Sequence, residues 1–188
     1  MKRAARGVSL LDFLIAVILI GAFMLAFLDR LDAFRESAER VAMQQLAREL
    51  GWALRLRAAE LMLANRNDEI GRLEGANPIE ALDMQVANYA GAGSSAEEAA
   101  VPAGRWYFNR QTRELVYFPA LTSQFAGGAS ARARVAWRVT VVREATQPGG
   151  KPRPLWVRFE LVQPYRWSER GSGNRNSAAM VAFAEERD

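Results

Sequence analysis

Residues 8–28 read VSLLDFLIAVILIGAFMLAFL, an apolar run in which Asp12 is the only charge and proline is absent. As a helix the run spans roughly 30 Å, which matches the hydrocarbon core of a bilayer. The seven residues before it carry three positive charges and no acid, and the positive-inside rule keeps such an end in the cytoplasm. The sequence therefore predicts a membrane-spanning helix with residues 29–188 on the far side, which in a bacterium is the periplasm.

Three interpretations of this run are open at this point. A secretory signal peptide has a shorter apolar core, of about 7–15 residues, followed by a small-x-small cleavage site, and the run fits neither feature. A plain membrane anchor has the right length but leaves Asp12 unexplained, because an ionised carboxylate in a bilayer is costly. That cost is small if Asp12 lies at the headgroup level, close to the basic end.

The third interpretation rests on the residues around Asp12. A short basic leader ends in Gly7, and Asp12 is the acid at the fifth position after that glycine. Residues 7–12, GVSLLD, resemble the Gly-Phe-Thr-Leu-Ile-Glu pattern in the class III signal sequence of type IV pilins and type II secretion pseudopilins. Val8 stands where the family usually has Phe, and Asp12 keeps the charge of the family's Glu on a shorter side chain. The resemblance covers residues 1–35.

The resemblance implies a pathway of processing and assembly. A prepilin peptidase would remove residues 1–7 by cutting between Gly7 and Val8, and would methylate the new amino group of Val8. Asp12 would pair with the amino-terminal nitrogen of a neighbouring subunit and guide insertion into a growing filament. The implied partners are the peptidase, other pilin or pseudopilin subunits, the inner-membrane assembly machinery and the lipid bilayer. The implied location is the bacterial inner membrane, with a single span and the head in the periplasm, and later a pilus or pseudopilus filament.

Electrostatics supports the same role for Asp12. Cleavage after Gly7 would leave a free ammonium on Val8, four residues before the carboxylate. A buried carboxylate needs a cation, and removing one partner of such a pair is strongly destabilising. The unprocessed chain lacks that ammonium, so processing would act as a switch that permits subunit assembly.

The helix is predicted to continue beyond the membrane to residue 65. Residues 29–65 contain no proline, and apolar side chains recur among charged ones at helical spacing. One helix over residues 8–65 would be roughly 87 Å long, and its apolar stripe does not hold the strict heptad of a coiled coil. An apolar first half, 8–28, followed by an amphipathic second half is similar to the shaft-and-head plan of pilins.

The rest of the head is predicted to be a connecting region followed by a sheet. Residues 66–104 are rich in turn formers, with a short helix over 79–86 and a flexible stretch at 90–104. Residues 105–163 alternate apolar and polar side chains and predict four antiparallel strands in meander order. The predicted fold class is therefore α+β, a long amino-terminal helix packed on a small antiparallel sheet of about four strands, as in pilins.

The carboxy-terminal tail, residues 164–188, is predicted to contain a linker and then a segment, 177–183, that suits a fifth strand or a docking helix. Type II secretion major pseudopilins often have an acidic calcium site in this region, but the carboxylates here lack calcium-ligand spacing. The chain has no cysteine, so it lacks the disulfide-closed loop of many type IV pilins. The helix-then-sheet plan therefore identifies no subfamily.

Composition narrows the functional classes further. The 188 residues include no His and no Cys, which excludes zinc fingers, iron–sulfur clusters, thiol nucleophiles and histidine bases. Most of the net charge of +4 comes from the leader, and the remaining arginines are scattered among acids, which disfavours nucleic-acid binding. The spacing of Glu114, Glu144 and Glu160 does not place two of them together as a catalytic pair. We therefore expect no enzyme activity, no cofactor and no metal site.

Together these features predict a structural subunit of a type IV pilus-like filament, a minor pilin or pilin-like protein. A type II secretion minor pseudopilin, part of a machine that pushes folded substrates outward, is the alternative within the same class. An uncleaved single-pass inner-membrane protein with a periplasmic binding domain is the alternative from a different class. Cleavage after Gly7 separates that last alternative from both filament systems.

Overall fold

A computed structural model of the chain describes residues 10–123, 125–127, 132–144 and 153–167. The predicted cleavage site at Gly7 and Val8, and residues 168–188 of the predicted tail, lie outside these ranges. The helices are α1 (Leu10–Leu63), α2 (Asn67–Gly71), α3 (Pro78–Ala81) and α4 (Ser95–Glu98). The strands are β1 (Tyr89–Gly93), β2 (Arg105–Asn109), β3 (Glu114–Phe118), β4 (Phe125–Gly127), β5 (Val135–Glu144), β6 (Arg153–Leu161) and β7 (Tyr165–Trp167).

The chain divides into two compact units, residues 1–38 and residues 39–188. The first unit is helical throughout its described part. The second unit, the head, contains the rest of α1 and all the other elements. The expectation of one long amino-terminal helix followed by a small sheet is confirmed.

Helix α1 forms because its sequence has no proline and is rich in good helix formers. It ends where Asn65 adopts the left-handed conformation, with φ of 56°, a common way for a helix to terminate. Within the head, one stripe of α1 is buried at the spacing that the sequence predicted. The buried residues of this stripe are Met43, Leu50, Leu54, Ala58 and Leu61.

The main sheet has five strands in the order β1-β2-β3-β5-β6, and β4 and β7 form a separate two-stranded sheet. The four strands β2, β3, β5 and β6 pair antiparallel as expected. The prediction of a purely antiparallel sheet is corrected by β1, which lies parallel to β2. Strand β1 has the sequence YAGAG, which carries too few large side chains to show an alternating pattern. Strand β1 is stabilised by backbone hydrogen bonds to β2, and a pattern of hydrophobic side chains cannot predict such bonds.

The connecting region also contains more structure than its composition predicted. The expected short helix is present but ends early, as α3, with Asn77 as its cap. The stretch expected to be flexible contains β1 and then α4, whose first turn is closed by a capping box between Ser94 and Glu97. Each of these two side chains satisfies a backbone N–H of the other residue, which stabilises even a single helical turn.

The core of the head lies on both faces of the sheet. On one face, Trp106 packs between Tyr117 and Trp137, with ring centroids 4.9 and 5.2 Å away, and the buried stripe of α1 belongs to the same core. On the other face, Val101 packs with Val116 and its neighbours. Strand β3 is therefore buried along its whole length.

Glu39 fixes the start of the head segment of α1 to the sheet. Its carboxylate accepts hydrogen bonds from the Tyr117 hydroxyl at 2.8 Å and from the backbone N–H groups of Ala120 and Leu121 at 2.6 and 3.0 Å. Burial, reinforced by the hydrogen bond to Glu39, raises the pKa of the Tyr117 phenol well above its usual range. Further along α1, the side-chain amide nitrogen of Gln44 donates a hydrogen bond to the hydroxyl of Tyr165 in the smaller sheet, at 3.4 Å. Contacts from α1 therefore reach both sheets of the head.

Candidate membrane-spanning and assembly segment

The first part of α1, residues 10–28, presents apolar side chains on all sides. Fourteen large apolar residues in this stretch are exposed, from 48% for Ile15 to 84% for Leu10. A helix that is apolar all round belongs in a membrane or among other helices rather than in water. Among the described residues, α1 is the one helix long and apolar enough to cross a membrane.

The energetics of this segment favour an apolar environment despite its carboxylate. Burying one exposed Leu, Ile or Phe side chain contributes about 1.5–3 kcal/mol. Placing an Asp at the centre of a membrane helix costs about 2.5–3.5 kcal/mol on insertion scales. Two of the fourteen apolar side chains are therefore enough to offset Asp12.

Asp12 lies in the first turn of α1 as described. Gly7 and Val8, which flank the predicted cleavage site, lie outside the described residues.

Of the three glutamates weighed as a catalytic pair, Glu114 is buried, and it forms ion pairs with arginines. Glu114 lies 2.8 Å from both Arg134 and Arg138, and Arg134 also reaches Glu98 at 3.2 Å. The exposed Glu160 lies 3.4 Å from an arginine on its own strand. Within the described ranges, no three side chains of the metal-binding types lie close enough together to hold an ion.

A second apolar face of α1 was not predicted from the sequence. Trp52, Leu56 and Leu63 are 70%, 64% and 88% exposed, and Ala59 between them is exposed as well. We call these four residues the outer seam. At about 100° per residue, they lie on the side of α1 opposite the buried stripe. The sequence predicted the stripe that packs on the sheet, and the structure adds this second stripe, exposed on the opposite side of the helix.

Charged side chains border the outer seam with opposite signs on its two sides. Arg48 and Arg55 lie on one side, and the Arg55 guanidinium is 5.9 Å from the ring centroid of Trp52. Glu60 lies on the other side, in an exposed ion pair with Arg57 at 3.1 Å. A groove of about 390 Å³ adjoins this acidic side, and it is lined by Ala53, Leu56, Arg57, Glu60, Ala81, Leu82, Asp83 and Met84.

Comparisons of the chain with protein-family models, with curated proteins and with solved structures found no match. Any class of protein proposed for the chain therefore rests on its own residues and geometry.

Proposed function

We propose that this chain is a structural subunit of a type IV pilus-like filament, processed after Gly7 and assembled through its apolar helix. The observation that carries the proposal is the exposed apolar stretch at residues 10–28, in which Asp12 is the only charge. It follows a basic leader that ends in glycine. In the proposed pathway the subunit is first stored in the inner membrane by this stretch and is then extracted into the filament.

The division of α1 between two units supports this role. The same unbroken helix supplies an apolar segment that a bilayer or neighbouring subunits can cover, and a stripe that completes the core of the head. The stripe that packs in the head core lies in the later part of the helix, from Met43 to Leu61. The earlier part is available for insertion and assembly.

The decisive experiment is amino-terminal peptide mapping and intact-mass measurement of the protein from its native membrane, with and without prepilin peptidase. We expect a terminus at Val8 that is lost in the strain without the peptidase. Detection of Met1 or Lys2 as the terminus in both strains would overturn the proposal and favour a plain membrane-anchored domain.

A matched pair of leader variants separates recognition of the cut site from general damage to the leader. We expect Gly7→Leu to retain the leader, because the residue before the cut is changed. Ala5→Leu places the same side chain two residues earlier and should still be processed to Val8. Equal processing of the two variants would contradict cleavage after Gly7.

A further inference from the structure

We propose that the outer seam is a self-association surface, which pairs two copies of this chain with their α1 helices parallel and in register. The pairing goes beyond the proposed function and does not depend on cleavage, since every residue that forms it lies in the head. The partner is a second copy because the seam and its charged borders are complementary to themselves.

The apolar part of the outer seam has the spacing of a helix-pairing surface. Trp52, Leu56, Ala59 and Leu63 follow each other at intervals of four, three and four residues, the alternation that places side chains along one seam between two helices. Scattered exposed leucines are ordinary on a protein surface, but a contiguous apolar stripe that includes an exposed tryptophan is not. Tryptophan is also among the residue types that most often dominate the binding energy of an interface.

The bordering charges select the parallel orientation. In a parallel pair in register, a residue on one border meets the residue five positions later on the opposite border of the partner helix. Arg55 then lies beside Glu60 of the second copy, and two-fold symmetry makes the same contact twice. In an antiparallel pair each border meets its own equivalent, which brings Arg55 towards Arg55 and Glu60 towards Glu60. Opposite charges are thus matched only in the parallel arrangement.

The ion pair that Glu60 forms within its own chain can be replaced by one with the second copy at little cost in free energy. The ion pair between Glu60 and Arg57 is exposed, with about half of each side chain accessible, and exposed pairs of this kind contribute only about 0–1 kcal/mol. Asp83 and Arg57 line the groove together with Glu60, so these three side chains leave a net negative charge on this border. The head does not use the outer seam for folding, because its core is built from the opposite stripe of α1.

The first test is disulfide cross-linking of the full chain in its membrane. Since the chain has no cysteine, single-cysteine variants report one contact each after oxidation with copper phenanthroline. We expect Ala59→Cys and Leu63→Cys both to form homodimers, because equivalent seam positions in a parallel pair approach within the Cα distance of about 4.4–6.8 Å that a disulfide requires. Ala64→Cys, exposed on another side of the chain, is the control for random collision.

Each outcome of the cross-linking has a distinct meaning. Homodimers at both positions, well above the level of Ala64→Cys, support the parallel pair. A homodimer at position 59 alone indicates an antiparallel crossing and overturns the proposal, as does cross-linking at the control level at both positions. Repeating the measurement in the Gly7→Leu background separates this pairing from the proposed function, since leader retention and cross-linking are scored independently.

The second test uses side-chain substitutions in the Ala59→Cys background. We expect Trp52→Ala to reduce cross-linking about tenfold or more, the size typical of a tryptophan that anchors an interface. Trp156→Ala is the matched control, because Trp156 is also exposed, at 53%, and also has an arginine near its ring, at 5.4 Å. It should leave cross-linking unchanged. An equal effect of the two substitutions would overturn the assignment of the outer seam.

Charge reversal tests the register directly. We expect Arg55→Glu and Glu60→Arg each to reduce cross-linking several-fold by placing like charges together. The double variant exchanges the two charges between the borders, so that opposite charges again face each other across the pair. It should recover most of the wild-type cross-linking. Absence of recovery in a double variant that is folded, as judged by its tryptophan emission, would refute the pairing of Arg55 with Glu60.

Discussion

Replacing Glu39 by alanine tests whether a single carboxylate fixes α1 to the sheet. The three donors that Glu39 satisfies are 78 to 82 residues away in the chain. They are the Tyr117 hydroxyl and the backbone N–H groups of Ala120 and Leu121. Removing the carboxylate leaves the phenol of the buried Tyr117 without this acceptor, while Ala120 is exposed and its N–H can be hydrated.

The expected loss follows from the number and kind of these bonds. A hydrogen bond to a charged group contributes about 1.5–3 kcal/mol, and a buried donor left without a partner costs about 1–3 kcal/mol. Two of the donors are backbone groups near the surface, so we expect water to accept hydrogen bonds from them and to restore most of the free energy lost there. We therefore expect Glu39→Ala to lower the free energy of unfolding by about 2–4 kcal/mol. At about 2–4 °C per kcal/mol for a chain of this size, the melting temperature should fall by about 4–16 °C.

The assay is chemical and thermal unfolding of the full chain in detergent, followed by tryptophan emission. Trp106 and Trp137 are 1% and 7% exposed, so their emission reports unfolding of the head core. Glu49→Ala is the control, because Glu49 is an exposed glutamate on the same helix whose side chain, among the described residues, accepts from Gln45 alone, at 2.9 Å. It should change stability by less than about 0.5 kcal/mol. The same small change for Glu39→Ala would refute the role assigned to Glu39.

Three further perturbations address other parts of the molecule. We expect Asp12→Ala to be inserted and cleaved but absent from sheared filament fractions, with Asp12→Glu as the charge-conserving control; normal assembly of the alanine variant would remove Asp12 from the mechanism. Burial raises the pKa of Tyr117 in the folded state, so the unfolded state ionises first. Its contribution to stability is complete below the unfolded pKa of about 10 and declines by about 1.4 kcal/mol per pH unit above it. Tyr117→Phe should therefore make the alkaline loss of stability shallower in pH-dependent unfolding, and an unchanged slope would contradict this. Asn109 donates to Glu98 and Ser95 and accepts from the β2–β3 turn, so Asn109→Ala should cost about 2–4 kcal/mol in urea unfolding. The exposed Gln111→Ala, in the same turn, should cost about 1 kcal/mol or less.

Several features of this protein follow from local sequence patterns. The apolar run at residues 8–28 identifies a membrane-length helix through composition alone. The buried stripe of α1 and the strands β2, β3, β5 and β6 follow from hydrophobic periodicity, because burial on one face leaves a repeat of 3.6 or 2 residues in the chain. These predictions depend on neighbours in sequence, and the structure confirms a helix of membrane length at Leu10–Leu63, its buried stripe and these four strands.

Other features depended on partners far away in the chain. Strand β1 exists because its backbone pairs with β2, and the sequence YAGAG, with one large side chain, gives no sign of that pairing. Glu39 is one of four glutamates on α1, and the sequence gives no sign that Tyr117 would be its partner. The outer seam is a second, shorter apolar stripe on α1, and its exposure became evident only when the predicted stripe was seen packed on the sheet.

The sequence by itself therefore determined where the helix and most strands lie, and where a charge sits in the apolar segment. Tertiary structure alone decided which residues cover the buried faces and which carboxylates accept hydrogen bonds from distant parts of the chain. The physical reason is that periodicity records whether a side chain is buried on its own element. It carries no information about the residue that buries it, since that residue is chosen by strand register and helix rotation across long stretches of chain.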